Sequence, residues 1–384
     1  MRTAGGLSFV AAALVGVAVT AYPPPARADE VRDGQWHLEQ LAVTEAHRSS
    51  VGEGVTVAVL DTGVDGSHPD LRGNVQPGVD LTGRGSDGRD DPAGTGTALA
   101  GLIAGHGHGA AGGDGVLGLA PRAGILPVVV AAPGAAADAA TVAAGIAAAV
   151  QRGADVICLG RPVPDDPAVT RAAGAAVAAG AVVVIPAEPA GDLLARYGGL
   201  GVLGATPTGP AEPTPTAGPA EPSPAGVLAV PGEQVLSTGG QGGYFVHART
   251  SDAAAAALLA GAAALVKAAH PQLAAHAVTD RLVATATGGA LDLPAAIATR
   301  VDPPTAAPPV PPPTGEPAPG SPEPTPAPGR PTAPEQPETA TEHVAAFDSG
   351  DWRRWLVAAP LVGFLIVLAT ASVTGVRRAR RARR

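Results

Sequence analysis

Runs of consecutive apolar residues alternate with alanine- and glycine-rich segments along the middle of the chain. Four runs rich in valine or isoleucine predict buried strands: GVTVAVLD (54–61), GILPVVVAA (124–132), ADVICLG (154–160) and AVVVIPA (181–187). Three intervening segments predict helices: GTALAGLIAG (96–105), DAATVAAGIAAAVQRG (138–153) and PAVTRAAGAAVAAG (167–180). Near-continuous apolar strands separated by helices are typical of a mainly parallel sheet buried on both faces. With right-handed crossovers, the pattern predicts an α/β fold of three layers.

Both ends of the chain carry apolar segments of a different kind. Residues 1–28 combine an early arginine, an apolar run and an Ala26-Arg27-Ala28 site, which predicts a cleaved signal peptide. The alternative is a permanent N-terminal membrane helix, but the run is shorter than the roughly 20 residues that a span needs. Residues 352–376 contain an uncharged run long enough to cross a bilayer and predict one C-terminal transmembrane helix. The arginine-rich tail 377–384 then lies in the cytoplasm, and the rest of the chain faces outward.

Composition limits what lies between the two ends. Residues 302–351, dense in Pro, Thr, Glu and Ala, predict a disordered spacer after a domain at 29–301, and the similar stretch 206–224 predicts a surface loop. The net charge is −9, although eight arginines lie in the two terminal segments, so the middle is strongly acidic and a nucleic-acid partner is not expected. Cys158 is the only cysteine, which excludes an intrachain disulfide.

Several segments resemble the subtilisin-like (S8) serine proteases. These are QWHLEQLAVTEAHRSSVGEGVTVAVLDTGVDGSHPDLRGNV, GLIAGHGHGAAGGDGVLGLAPRAGILPVVV, VLAVPGEQVLSTG and LAGAAALVKAAHPQLAAHAVTDRLVATA. Together with the layout of the chain, they resemble in particular the mycosins, which are membrane-anchored proteases associated with type VII secretion in actinobacteria. The resemblance implies a subtilisin-like fold and a triad in which a serine attacks, a histidine takes its proton and an aspartate orients the histidine. No cofactor or metal is implied.

The aspartate of that triad is matched and the histidine is not. Asp61 ends the first strand and is followed by Thr62-Gly63, as the family motif requires. Gapless alignment of the next motif places Thr95 where the histidine is expected. His106 and His108 lie beyond the helix that starts at this point, roughly 15 Å or more along its axis. Proton transfer needs about 3 Å, so we do not expect either histidine to replace the missing base, and we expect both in a solvated glycine-rich loop.

The serine position has two possible assignments. Counting back from Gly261, the glycine of the following helix, places Ala253 there. Ser251 is the alternative nucleophile, but it requires two extra residues before Gly261, which would rotate the helix by about 200°. With Ala253 at the site, Ser251 or Asp252 is expected to cap the helix.

The oxyanion donor and the substrate strand also depart from the family pattern. The asparagine expected after AVVVIPA is replaced by Glu188 or Pro189, and Asn74 is the only asparagine in the chain. Pro162 and Pro164 remove backbone donors from the strand that would pair with substrate. These losses predict an inactive protease homologue with a binding or scaffolding role at the cell surface, whose partner is a peptide or a secretion-system protein. The alternative is an active serine endopeptidase that uses Ser251 with Asp61.

Overall fold

A computed structural model describes residues 30–188, 191–210, 226–247 and 251–298. All of these lie in one compact unit, Met1–Ala318. The expected signal peptide, spacer, transmembrane helix and basic tail lie outside the described residues. Pro189 and most of the loop predicted at 206–224 lie outside them as well.

The described ranges contain eleven strands and ten helices. The strands are β1 (Thr56–Asp61), β2 (Val79–Asp80), β3 (His106–His108), β4 (Asp114–Leu117), β5 (Gly124–Val129), β6 (Val156–Leu159), β7 (Val182–Pro186), β8 (Val202–Thr208), β9 (Val227–Pro231), β10 (Leu236–Thr238) and β11 (Tyr244–Val246). The helices are α1 (Glu30–Asp33), α2 (Trp36–Gln40), α3 (Val43–Ala46), α4 (Thr95–Ala104), α5 (Ala139–Gln151), α6 (Pro167–Ala178), α7 (Gly191–Tyr197), α8 (Asp252–Ala269), α9 (Ala275–Ala284) and α10 (Leu293–Ala298).

Seven strands form one sheet in the order β2-β5-β1-β6-β7-β8-β9. All of its pairings are parallel, and β1 lies between β5 and β6. Two small antiparallel ribbons, β3–β4 and β10–β11, accompany the sheet. The fold is therefore the mainly parallel α/β arrangement that the apolar runs predict.

Alternate residues of β1 face two separate cores. Val57 and Val59 pack into the core that contains α4 and α8, whereas Ala58 and Leu60 pack into the core that contains α5 and α6. This two-sided burial explains why the strands are nearly continuous apolar runs. By the same alternation, the side chain of Asp61 lies on the α4 side of the sheet.

The long helices begin at side-chain caps. Asp138 accepts a hydrogen bond of 2.8 Å from the Thr141 backbone N–H at the start of α5, and Ser251 accepts one of 3.1 Å from Ala254 N at the start of α8. Such caps satisfy backbone donors that a helix leaves unpaired at its first turn. Gly261 lets α8 approach Leu119 closely, because a Cβ at position 261 would lie only 2.9 Å from Leu119 Cβ.

Within the described part of the chain, one helix, α8, is long and apolar enough to cross a membrane. It is 78% buried inside the domain, where it packs against α4 and several strands of the sheet. Burial at this level identifies α8 as the central core helix of the domain.

Two local expectations differ from the structure. Residues 206–208, which were expected in a loop, continue β8, where Ala205 to Thr208 pair with Leu228 to Pro231 of β9. His106 and His108 were expected in a solvated glycine-rich loop, but they lie on β3, which pairs with β4. The first error has a clear cause: Pro207 and the prolines that follow it resemble a loop in composition, although backbone donors at neighbouring residues still permit parallel pairing.

Candidate active-site region

The carboxylate of Asp61 is buried at the carboxyl end of β1, with 1% of the residue exposed. Its Oδ1 accepts hydrogen bonds from Thr62 N at 2.8 Å and from Thr95 Oγ1 at 2.5 Å, and Thr62 Oγ1 lies 3.1 Å from the same oxygen. The backbone of Gly160 packs against the other carboxylate oxygen, Oδ2, so closely that a Cβ at position 160 would lie 2.8 Å from it. The acid therefore sits in an enclosed pocket of hydroxyl and backbone groups.

Burial shifts the acid–base behaviour of this pocket. Desolvation raises the pKa of Asp61, while the hydrogen bonds from Thr95 and Thr62 and the charge of Arg161 act in the opposite direction. Burial also raises the pKa of the Cys158 thiol, and the nearby Asp61 charge adds to the increase. Cys158 is therefore a protonated core residue and not a thiolate nucleophile.

Thr95 is the first residue of α4, and its hydroxyl points to the acid of β1. Thr95 Oγ1 also lies 2.9 Å from Thr62 Oγ1, and Thr62 Oγ1 donates to Asp91 Oδ1 at 2.6 Å. Each hydroxyl carries one hydrogen, so donation from Thr95 to Asp61 and from Thr62 to Asp91 gives each carboxylate a donor. The two carboxylates are thus bridged by two threonine hydroxyls.

Asp91 is the second carboxylate of this group, and sequence reasoning missed it. It is 4% exposed and also accepts from Thr97 N at 2.8 Å and from Thr97 Oγ1 at 2.7 Å. A carboxylate at the first turn of α4 satisfies unpaired backbone donors and interacts favourably with the helix dipole. We call Asp61, Thr62, Asp91, Thr95 and Thr97 the acid–threonine network. The only sequence signal for Asp91 is its place three residues before Gly94, ahead of a helix.

Neither candidate for the serine position forms a described hydrogen bond with this network. Ser251 caps α8, and its Oγ lies 3.2 Å from His247 Nδ1. The Ser251 hydroxyl can donate to His247 Nδ1 or accept from it, depending on which ring nitrogen of His247 carries the hydrogen. Ala253 is half-buried in the first turn of α8 and packs against the core on the α4 side.

His247 and His37 form a second buried polar region, the histidine pair. His37 is 0% exposed and His247 is 7% exposed. Both ring nitrogens of His37 and Nε2 of His247 have no hydrogen-bond partner among the described residues. Burial, with the neighbouring His247, lowers the pKa of His37 to about 3, and burial lowers the pKa of His247 to about 4. Both imidazoles are therefore neutral at pH 7.

The remaining sequence candidates lie elsewhere. His108 Nδ1 is 2.6 Å from Asp70 Oδ1, and His106 Nε2 is 3.1 Å from Arg72 O, so these contacts involve residues outside the acid–threonine network. Glu188 is exposed beyond the end of β7, and Pro189 lies outside the described residues. No group of three or more His, Cys, Asp or Glu residues that could hold a metal ion occurs in the described ranges.

Arg161 is a further residue that sequence reasoning missed. Its Nη1 lies 4.0 Å from Asp61 Oδ1, and its Nη2 donates a hydrogen bond to the Ala135 carbonyl. The side chain is 23% exposed. Arg161 lies two residues after the end of β6. The one sequence signal for it is that it is the first charged residue after that strand.

Comparisons with known proteins agree with this fold. The profile of the Subtilase family, peptidase S8, matches residues 52–187. Subtilisin Savinase from Lederbergia lenta is 32% identical over 260 residues, which cover 66% of this chain and 91% of that protein. Mycosin-1 from Mycobacterium tuberculosis is 42% identical over 94 residues, which cover 24% of this chain and 20% of that protein. The chain also spans only 15% of fervidolysin from Fervidobacterium pennivorans, another curated relative.

A solved structure has the same architecture. It is described as a serine protease MycP1, an essential component of the type VII (ESX-1) secretion system. Its TM-score is 0.55 at 28% sequence identity, and the match covers 72% of this chain and 91% of that chain. On the fold, the family profile and the extent of the Savinase match, the chain belongs to the subtilase family, peptidase S8.

Proposed function

We propose that this subtilase-family domain does not cleave peptides and acts as a binding or scaffolding domain at the outer face of the cell membrane, in association with a type VII secretion system. One observation carries the proposal: the hydroxyl of Thr95 donates a hydrogen bond to Asp61 at 2.5 Å. In the family mechanism, a histidine bonded to the aspartate must accept the proton of the serine. A threonine hydroxyl at this place is a donor and is not a base near neutral pH.

The nucleophile and the oxyanion donor are also missing under this proposal. With Gly261 as the anchor of α8, Ala253 takes the serine position and presents a methyl group. The amide of Asn74 donates to Ala104 O and Pro121 O, both at 2.9 Å, so it serves the core. In subtilisin, loss of the serine or the histidine alone reduces turnover about a million-fold. Loss of both, together with the oxyanion donor, leaves no basis for efficient hydrolysis.

The proposed cellular location and the association with a secretion system are based on similarity to the mycosins. The match to Mycosin-1 and the similarity to MycP1, a type VII secretion component, support the secretion-system assignment. The signal peptide and C-terminal membrane helix expected from the sequence support a location outside the cell. The sequence motifs expected to pair with substrate are altered, so the partner is an unhydrolysed peptide or a protein of the assembly.

A second candidate function is favoured by one observation, the 3.2 Å contact between Ser251 Oγ and His247 Nδ1. A serine bonded to a neutral imidazole is the start of a nucleophile–base pair, and the function would be a serine hydrolase. Two features make this pair weak. The pKa of His247 is lowered to about 4, far below that of an effective base near pH 7. Its other nitrogen also has no carboxylate partner among the described residues.

The test is covalent labelling of the purified full-length chain with a fluorophosphonate serine probe, beside a casein cleavage assay. The comparison includes wild type, Ser251→Ala, and Ser67→Ala as a matched exposed serine. We expect no labelling in any of them, a cooperative thermal melt in all, and labelling of Subtilisin Savinase as the positive control. Labelling that disappears only in Ser251→Ala would replace the proposal with the second candidate.

A further inference from the structure

The strands β1 and β6 are neighbours in the sheet, and the chain leaves their carboxyl ends toward opposite faces. After β1 the next long helix, α4, packs into one core, whereas after β6 the helix α6 packs into the core on the other face of the sheet. In open α/β sheets, ligands bind in the crevice formed where neighbouring strands continue to opposite faces. This crevice lies at Asp61, the last residue of β1.

The side chain of Arg161 runs across this crevice. It starts two residues after the end of β6, passes the end of β1 with Nη1 4.0 Å from Asp61 Oδ1, and ends with Nη2 on the carbonyl of Ala135. Ala135 belongs to the connection between β5 and α5. Because β5, β1 and β6 are adjacent in the sheet, one side chain links the connections on both sides of Asp61.

The base of Arg161 is held in place. Gly160 can take no side chain, since a Cβ there would overlap Leu99 Cδ1 and lie 2.8 Å from Asp61 Oδ2. Val163 is 5% exposed and anchors the following segment in the core on the α5–α6 side. Pro162 and Pro164 fix the backbone dihedral φ and have no N–H to offer a ligand. The segment after β6 is thus a rigid support for the guanidinium.

One contact of the guanidinium occupies a backbone carbonyl with which an extended peptide could otherwise pair. A peptide strand gains affinity from main-chain hydrogen bonds to backbone edges, and the Ala135 carbonyl is already used. The positive charge is attracted to the buried Asp61 carboxylate, an interaction that is stronger in a partly desolvated site than in water. Displacing Arg161 therefore requires breaking a charge-assisted hydrogen bond and weakening an ion pair.

We propose that Arg161 is an autoinhibitory strap that closes the crevice above Asp61 to extended peptides, so that the site opens only when this side chain is displaced. The inference rests on the proposed function, because it describes how the same site is regulated in a domain that binds without cleaving.

The test measures binding of fluorescein-labelled casein, an unfolded polypeptide, to the full-length chain by fluorescence anisotropy. We expect Arg161→Ala to bind about tenfold more tightly than wild type, equivalent to about 1.4 kcal/mol. Arg161→Gln, which keeps a donor for Ala135 but loses the charge, should lie between the two. Arg152→Ala, an exposed arginine at the end of α5, serves as the matched control and should bind as wild type does.

Hydrogen exchange of the backbone from 131 to 138 tests the contact itself. Exchange should be faster in Arg161→Ala, because the carbonyl of Ala135 loses its partner. Equal affinity of wild type and both Arg161 variants, with unchanged thermal melts, would overturn the strap. If Arg161→Ala fails to fold, equal affinity of a folded Arg161→Gln overturns it. Appearance of casein fragments would instead overturn the proposed absence of cleavage, so the two failures are distinguishable.

Discussion

The domain contains two buried polar regions that are built in opposite ways. In the acid–threonine network, each carboxylate accepts several hydrogen bonds. Asp91, for example, accepts three, from Thr62 Oγ1, Thr97 N and Thr97 Oγ1. In the histidine pair, three of the four ring nitrogens have no partner among the described residues. A fully satisfied polar network rigidifies a fold, whereas an unpaired buried polar group destabilises it.

This difference separates a polar region that stabilises the fold from one that does not. The network around Asp61 joins β1 to the start of α4 through threonine hydroxyls, and it stabilises this end of the sheet. The histidine pair has no such support and depends on both rings remaining uncharged. The two regions should therefore respond to acid in opposite directions.

The largest expected effect is loss of stability in acid through the histidine pair. The pKa values of His37 and His247 in the folded chain are lowered to about 3 and about 4, below the value of about 6.5 for an unfolded histidine. The unfolded chain therefore binds protons first, so stability is full above about pH 6.5 and falls as the pH drops toward 4. Between about pH 7 and about pH 4.5, each histidine should remove about 2–3 kcal/mol, measured by urea unfolding.

The variant His37→Leu/His247→Leu should flatten this decline, and His276→Leu, a partly exposed histidine of α9, should keep it. The raised pKa of Asp61 works in the other direction, because the folded chain then binds a proton more readily than the unfolded chain as the pH falls. An equally steep acid decline in the double variant would remove the histidine pair as its cause.

A smaller effect is expected from Asp91, the centre of the satisfied network. Asp91→Ala removes an acceptor of three hydrogen bonds and leaves Thr97 N unpaired at the start of α4. Urea unfolding at neutral pH should show a loss of about 3 kcal/mol. The control is Asp87→Ala, since Asp87 is an exposed aspartate paired with Arg89, and it should leave the free energy of unfolding unchanged. A similar loss of free energy of unfolding in both variants would contradict the role of the network.

The smallest expected effect is that of the Thr95 hydroxyl. Thr95→Ala removes one donor to Asp61 and should lower the free energy of unfolding by about 1–2 kcal/mol at neutral pH. Thr95→Ser keeps the hydroxyl and should remain close to wild type. Because the bond favours the charged carboxylate, the difference between Thr95→Ala and wild type should shrink as Asp61 becomes protonated in acid. A difference that does not change with pH would indicate that Thr95 acts through packing.

Elements with a repeating apolar pattern were predictable from the sequence. The runs that became β1, β5, β6 and β7 are short and nearly all apolar, and the alanine-rich segment before Gly261 became the buried helix α8. The end of β1 at Asp61 also followed from its motif. These features depend on local periodicity and short motifs, which the sequence displays directly.

The contacts between distant segments were not predictable in the same way. Asp91 meets Thr62 across 29 residues of a loop with no apolar period, and Arg161 meets Ala135 across 26 residues. His37 and His247 come together from opposite ends of the domain. Such pairs depend on the packing of the sheet and its connections, and no pattern within either segment specifies the partner.

The central claim is that the domain lacks catalysis because its base and its nucleophile are replaced. The most direct test is fluorophosphonate labelling of wild type and three variants: Thr95→His, Thr95→His/Ala253→Ser and Thr95→His/Ser251→Ala. The account predicts labelling only in Thr95→His/Ala253→Ser, and slowly, since an oxyanion donor is worth about 10²–10³ in turnover. Labelling of wild type, or labelling of Thr95→His that disappears in Thr95→His/Ser251→Ala, would contradict the account and identify Ser251 as the nucleophile. Absence of labelling in a folded Thr95→His/Ala253→Ser chain would contradict the placement of Ala253.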